Sequence, residues 1–377
     1  MIDTLNNMID KFYANTIYCN RNKLAIVTGN FNPSYDSLLF NTNDYLGLDK
    51  LYYYLSNPKL NKLNKLNLLQ SGVFSSSNSI KDKLEDRISN FTNYESSLLY
   101  QSGYCANLDL LQVISYNKCN IYIDINAHAS IHNGAKNTNG KIILFRHNNY
   151  VDLENKINKY GSGIILVDSI YSVNGDMCDL KKVSSISKSS DSILVVDESH
   201  SLGLYGKNGE GLVNELNLQD KVDIITASLS KTFATRAGII LCSERLKNFI
   251  KYKGNISIFS SGLDNETIFN IGNKLDIIKS MSNEREDLKN KSLYFRKNIK
   301  NNSSQSNIIS IDFPDIELAR DFFEENNIFP SVFAYPATPK NKPVLRFTLC
   351  NYHTYNDIDI LIKFLLKYSL QIKNYVL

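Results

Sequence analysis

Between about residues 94 and 242 the chain repeats one pattern, a short run of apolar and β-branched residues followed by a polar stretch able to form a helix. The runs are Ile121-Tyr122-Ile123-Asp124, Ile142-Ile143-Leu144-Phe145, Ile164-Ile165-Leu166-Val167, Ile193-Leu194-Val195-Val196, Ile224-Ile225-Thr226 and Gly238-Ile239-Ile240-Leu241. A strand with one solvated face alternates apolar and polar residues. These runs are apolar almost throughout, as strands covered on both faces are. The expected fold is therefore α/β, a mainly parallel sheet with helices on both sides. Ligands of such sheets sit at the carboxyl ends of the strands, and the unusual polar residues of this chain stand there. Ile80, Leu84, Ile88 and Phe91 recur at helical spacing and predict an amphipathic helix leading into the sheet.

After about residue 268 the texture changes. A Lys/Glu/Asn-rich helical stretch from Lys274 to Lys300 precedes strands near Ile308-Ile309-Ser310-Ile311 and Val344-Leu345-Arg346-Phe347, and an amphipathic helix from Asp357 closes the chain. This predicts an N-terminal arm over 1–42, a large domain over 43–268 and a smaller α+β domain over 269–377. A length of 377 residues and a hydrophobic share of 43% suit more than one packed unit. Net charge is only +4, dispersed rather than in runs, so neither charge nor pattern calls for nucleic acid. The apolar runs are far shorter than the ~20 residues of a membrane-spanning helix, and Met1-Ile2-Asp3 opens on an acid, so the expected location is the cytoplasm. The six cysteines include no CxxC pair, which predicts reduced thiols and no metal site.

The chemistry concentrates after two strands. Ile193-Leu194-Val195-Val196-Asp197-Glu198-Ser199-His200 ends a buried run on an acid and a histidine. Alone, the pair reads first as a capping acid and a loop histidine. Further on, Asp223-Ile224-Ile225-Thr226-Ala227-Ser228-Leu229-Ser230-Lys231-Thr232 runs into hydroxyls and a lysine, which alone reads as a surface residue. Together, strand-Asp-x-x-His followed by Ser-x-x-Lys resembles the pyridoxal phosphate enzymes of aspartate-aminotransferase fold type I.

Other segments extend the likeness in order along the chain. Phe40-Asn41-Thr42-Asn43-Asp44-Tyr45-Leu46-Gly47-Leu48, Gln101-Ser102-Gly103-Tyr104-Cys105-Ala106-Asn107, Asp124-Ile125-Asn126-Ala127-His128-Ala129-Ser130-Ile131 and Phe145-Arg146-His147-Asn148-Asn149 all resemble segments of the α-oxoamine synthase family. So do Asp168-Ser169-Ile170-Tyr171-Ser172-Val173-Asn174-Gly175-Asp176, Leu345-Arg346-Phe347-Thr348 and His353 through Asp359. The resemblance is greatest to the biotin-pathway branch, with which the Ser71-Gly72 pair is compatible.

The resemblance implies a large domain with a mainly parallel seven-stranded sheet, pyridoxal 5'-phosphate as cofactor and a role for each matched residue. Lys231 is the Schiff-base lysine and general base. Asp197 pairs with the pyridinium nitrogen, a role that a carboxylate at a buried strand end suits because it favours the ring's charge. His128 stacks on the ring, while His200 and Ser172 contact the ring hydroxyl and its surroundings. Ser102, Gly103 and Tyr104 form the phosphate turn, where Gly permits close approach to backbone N–H groups, and Ser228 adds a hydroxyl. Ser261, in Phe259-Ser260-Ser261, reaches the phosphate of a neighbouring subunit, implying a homodimer with shared active sites. Arg346, as a planar bidentate cation, binds the substrate carboxylate with help from Asn43; Thr338 and Arg21 meet the acyl substrate. His132, His147 and His353 are expected to be structural.

The implied reaction is a decarboxylative Claisen condensation of L-alanine with a pimeloyl thioester, on coenzyme A or acyl carrier protein, giving the 8-amino-7-oxononanoate of biotin synthesis, carbon dioxide and a thiol. Rivals within the family join glycine to an acetyl or succinyl thioester or serine to a long acyl chain, or make an amino-ketone signal; outside catalysis, the rival is a silent scaffold subunit. Lys231, Asp197, His128 and His200 together argue against the scaffold. The chain departs from the family where Lys-x-x-Gly-x-x-Gly-Gly reads Lys231-Thr232-Phe233-Ala234-Thr235-Arg236-Ala237-Gly238; both alanines are expected at negative φ. Asn149, Asp168 and Ser199 also replace an acid, a glutamate and an alanine.

Overall fold

The computed structural model describes residues 37–48, 79–115, 118–300, 304–313, 315–335, 337–339 and 342–371. Arg21 and the Ser71-Gly72 pair lie outside them. Strands run in the order β1 (Leu38–Leu39), β2 (Ser96–Tyr100), β3 (Asn120–Asp124), β4 (Lys141–Phe145), β5 (Gly163–Asp168), β6 (Ile193–Asp197), β7 (Ile224–Ser228), β8 (Gly238–Cys242), β9 (Ile308–Asp312), β10 (Ile328–Phe329), β11 (Ser331–Phe333) and β12 (Val344–Thr348). The helices are α1 (Ile80–Thr92), α2 (Gly103–Ile114), α3 (Ala129–Lys136), α4 (Tyr150–Tyr160), α5 (Leu180–Ser189), α6 (Leu212–Glu215), α7 (Glu244–Lys253), α8 (Asn255–Phe259), α9 (Asn265–Ser280), α10 (Ser282–Asn298), α11 (Ile316–Glu325) and α12 (Tyr355–Gln371).

The expected sheet is present, with seven strands in the order β2-β8-β7-β6-β5-β3-β4. Its pairings are parallel except those of β8, which runs against both neighbours. The apolar runs place Ile121, Ile164, Val195 and Ile240 on one face and Tyr122, Ile165, Leu194 and Ile239 on the other, each face with its own buried core. Burying an aliphatic side chain stabilises by about 1.5–3 kcal/mol, so two covered faces favour this register over a slipped one. Two strands depart from the expectation. β2 is serine-rich at its start yet buried throughout, because Glu85 of α1 meets it, accepting from Leu99 N–H at 2.8 Å, while Ser97 Oγ donates to the Glu85 carbonyl. β4 is one of the two sheet edges, and its Ile142 and Leu144 are exposed.

A third core gathers β9, β12, α10, α11 and α12 over the antiparallel β11-β12-β9 sheet. Phe40 and Tyr45 belong to it, carried there by β1, which pairs with β10. Ile268, Ile271, Leu275, Ile278 and Met281 remain in the first core. They stay with the large sheet because α9 lies along α1, where Arg87 Nη2 bonds Asp276 at 2.7 Å and the Gly272 carbonyl at 3.1 Å. Among the described residues no helix is long and apolar enough to cross a membrane.

Candidate active site

The carboxyl ends of β5, β6 and β7 and the amino end of α2 converge on one cluster. Asp168 and Asp197 are register partners at the ends of β5 and β6. Asp197 is buried, and its Oδ2 accepts from Asn107 Nδ2 at 2.8 Å while Oδ1 accepts from Ser199 N–H at 2.9 Å. Asp168 accepts from the backbone N–H of His128 at 3.3 Å. Burial, reinforced by the neighbouring Asp197 charge, pushes Asp168 well above the usual carboxylate range. His128 caps the amino end of α3 with its ring nitrogen 2.7 Å from Ser130 Oγ, and the residue is exposed. Its ring is therefore accessible to a flat partner.

At the amino end of α2 the cap is Ser102, whose Oγ accepts from Cys105 N–H at 3.1 Å. Close packing demands glycine at two places here. A Cβ on Gly238 would lie 2.2 Å from the Ser102 carbonyl, and one on Gly103 2.8 Å from Ser228 Cα. The helix terminus is thereby drawn against the end of β7, where Ser228 presents its hydroxyl and takes its own place from the Ser228 N–H to Ser199 Oγ bond at 2.8 Å. Tyr104 follows, with its hydroxyl accepting from Asn133 Nδ2 at 2.7 Å. Backbone N–H groups at such a terminus favour a dianion.

Lys231 stands just beyond β7, half-buried, and its Nζ has no hydrogen-bond or ion-pair partner among the described residues. Burial and the positive charge of Arg346 lower its pKa to about 8, with Asp197 opposing them. The turn after it corrects one expectation. Ala237 avoids positive φ, but Ala234 holds φ 43°, a left-handed conformation that costs a residue with a Cβ about 1–2 kcal/mol. The turn keeps it because Ala234 N–H donates to the Lys231 carbonyl at 2.9 Å and Lys274 Nζ grips the Ala234 carbonyl at 2.8 Å.

Arg346, on β12, is 4% exposed and has no carboxylate partner among the described residues. Its Nη1 donates to the Ser172 carbonyl at 2.7 Å, its Nη2 to Asn43 Oδ1 at 2.8 Å, and its Nε has no partner. His200 lies with its Nδ1 2.5 Å from the Tyr45 hydroxyl. Burial drives this imidazole well below its ordinary range, and Lys231, Arg346 and His128 add to the effect.

The structure thus brings Lys231, Asp197, His128, His200, Ser102, Gly103, Tyr104, Ser172, Ser228, Asn43 and Arg346 together at the carboxyl ends of the sheet strands and the facing end of the smaller sheet. Thr338 is buried in the β11–β12 connection, with no recorded bond to this cluster among the described residues. Ser261 is linked to the phosphate turn through Gln101, whose Nε2 donates to its carbonyl and to Ser260 Oγ. Sequence reasoning missed Asn107, Ser199 and Tyr45. Asn107 carried a signal, since it stands one helical turn after Gly103 and must share its face.

Nearby, His147 sits between Asp124 at 2.9 Å and Asp176 at 3.3 Å and edge-on to Tyr171. Burial works against its charge, but the two carboxylates prevail and raise its pKa from 6.5 to about 9. A raised histidine stabilises the fold fully below the unfolded value and loses that contribution as pH rises through the folded one. The melting temperature of His147→Gln should therefore fall furthest below that of the parent near pH 6, and thermal scans should show the gap closing between about pH 6.5 and 9.

The residues present suit pyridoxal phosphate. A lysine amine without a partner among the described residues, a carboxylate at a buried strand end, an accessible imidazole face and a glycine-lined helix terminus match its aldehyde, ring nitrogen, ring and phosphate. Comparison with known proteins agrees. The aminotransferase class I and II family matches residues 35–365. A CAI-1 autoinducer synthase of Vibrio campbellii is 35% identical over 93% of this chain and 91% of its own. A putative 8-amino-7-oxononanoate synthase of Acetivibrio thermocellus is 27% identical over 88% of each chain. A serine palmitoyltransferase from S. paucimobilis, solved with a bound PLP-myriocin aldimine, shares the fold at a TM-score of 0.83 and 21% identity, covering 89% of this chain and 88% of that one.

Proposed function

From a chain that belongs to the aminotransferase class I and II family and, within it, to the α-oxoamine synthases, we propose a pyridoxal-phosphate-dependent acyltransferase that joins an α-amino acid to an acyl thioester. The products are an amino ketone, carbon dioxide and the free thiol. One observation carries the reading: Lys231, whose amine has no hydrogen-bond or ion-pair partner among the described residues, feels the charges of both Asp197 and Arg346, the latter a buried cation without a carboxylate partner among those residues.

When bound, pyridoxal phosphate supplies an aldehyde that links to an amine and a protonated ring that draws electrons from the substrate Cα. The residues do the rest. Asp197, held by Asn107 and the Ser199 N–H, keeps a proton on the ring nitrogen. Arg346 turns its guanidinium to the amino-acid carboxylate. Lys231 would accept the Cα proton, and its lowered pKa leaves a useful fraction neutral near pH 7 to 8. The substrate carbon then attacks the thioester carbonyl, the thiol leaves, and the β-keto acid loses carbon dioxide. Thr338 and Arg21 are proposed to meet the acyl chain.

The 35% relative favours an acyl donor of the autoinducer-making kind, giving an amino-ketone signal. The second reading is L-alanine with a pimeloyl thioester, favoured by the biotin-branch motifs and the 8-amino-7-oxononanoate synthases among the relatives. Thiol release should be measured with L-alanine, glycine and L-serine against pimeloyl-CoA, a series of straight-chain acyl-CoAs and the matching carrier-protein thioesters. Turnover with a straight-chain donor and not pimeloyl supports the first reading; the reverse supports the second; silence with every pair removes both. We place the reaction in the cytoplasm and in a homodimer. Exposed Phe249, Tyr252 and Phe259 lie on α7 and α8 beside Ser260-Ser261, and a cluster of large apolar side chains of this kind suits a covered face.

A further inference from the structure

Three polar contacts through two side chains, Asn43 and Tyr45, connect Arg346 to the imidazole of His200. Arg346 Nη2 donates to Asn43 Oδ1 at 2.8 Å, the Tyr45 hydroxyl lies 3.3 Å from that same Oδ1, and it lies 2.5 Å from His200 Nδ1. Most of this is screened from water: Tyr45 is fully buried, His200 and Arg346 are each 4% exposed, and Asn43 is half-buried. The Tyr45 hydroxyl has one proton and two candidate acceptors. Asn43 Oδ1 is already engaged by a guanidinium at the shorter distance, whereas His200 Nδ1 lies at the short end of hydrogen-bond range. No other hydrogen bond reaches the His200 ring among the described residues.

We infer that Tyr45 is a positioning residue for the reaction: its hydroxyl donates to His200 Nδ1, fixes the ring as the Nε2–H tautomer, and leaves an N–H donor on the ring edge away from Tyr45. Burial and the facing cations Lys231 and Arg346, with His128 beyond, keep the ring neutral, so that only one nitrogen carries hydrogen and Tyr45 decides which. The inference rests on the proposed cofactor site and deepens it. A donor at Nε2 suits an anionic oxygen such as that on the cofactor ring, whereas the other tautomer would present a lone pair to it. Arg346 and Asn43 take part indirectly, because the guanidinium holds Asn43 Oδ1 and leaves Tyr45 to His200. No proton need leave the network for this arrangement.

The test is nitrogen-15 NMR of histidine side chains in the full-length protein, cofactor-free and cofactor-loaded. The chain has only five histidines, and the His200 signals are assigned by their loss in His200→Gln. The expected result is a wild-type His200 with protonated Nε2 and unprotonated Nδ1 in both states, and a Tyr45→Phe protein in which this preference is lost. His147, bonded elsewhere, serves as the internal control. A wild-type His200 carrying its proton on Nδ1, or a Tyr45→Phe spectrum unchanged at His200, overturns the inference. The wild-type measurement decides even if Tyr45→Phe does not fold. Failure to bind pyridoxal phosphate would instead remove the proposed function, and the cofactor-free spectrum would still report on Tyr45.

Discussion

Lys231→Ala should lower thiol release by at least about 10⁴-fold, the upper end of what a positioned general base contributes, and should abolish covalent attachment of pyridoxal phosphate. The loss should be chemical rather than structural. Lys231 is half-buried, and its Nζ has no protein partner among the described residues, so its removal orphans no buried polar group and the melting temperature should hold. Desolvation of the amine, which now counts against its charged form, also disappears. The check is borohydride reduction of the cofactor-loaded protein followed by peptide mass analysis. Wild type should carry the cofactor on the peptide containing Lys231 and the variant on none. Ser102, Ser228 and Asp197 remain, so the variant should still bind the cofactor reversibly.

Arg346→Met should raise KM for the amino acid by about 10²–10³-fold, the equivalent of removing one partner of a buried, hydrogen-bonded charge pair, worth roughly 2–5 kcal/mol. KM for the acyl thioester should change far less, which separates carboxylate recognition from general damage to the site. Stability should change little. The substitution leaves the Ser172 carbonyl and Asn43 Oδ1 without their donor, a cost of the order of 1–3 kcal/mol for each orphaned group, but it also relieves the burial of a guanidinium without a carboxylate partner, whose charge burial already disfavours. Arg346→Lys should recover only part of the affinity, since an ammonium cannot reproduce the fork. Steady-state kinetics in both substrates decides; an unchanged amino-acid KM would place the carboxylate elsewhere.

The large sheet was legible because its strands are buried on both faces and so are written as apolar runs. β2 escaped because Ser96 and Ser97 look like a turn, and the burial of Ser97 is compensated by Glu85, which lies on the preceding helix. The edge position of β4 was equally hidden: Ile142 and Leu144 are apolar yet exposed, since sequence does not tell an edge strand from a central one. Lys231, Asp197, His128 and Arg346 were legible through motif order, because chemistry fixes both residue type and spacing. The Asn43–Tyr45–His200 connection was not. It depends on β1, only two residues long, pairing with β10, a contact between distant segments that no local pattern records. Ala234 shows a further limit, since its positive φ is set by the grip of Lys274 from α9.

The proposed chemistry is condensation with loss of the amino-acid carboxylate, in a family whose namesakes exchange amino groups. The decisive experiment follows labelled carbon dioxide from a carboxyl-labelled amino acid together with free thiol from the acyl thioester, in one reaction with the loaded protein. Equal amounts of both are expected, each dependent on the other substrate and absent in Lys231→Ala. Label retained in a keto acid, or thiol released without carbon dioxide, would contradict the condensation.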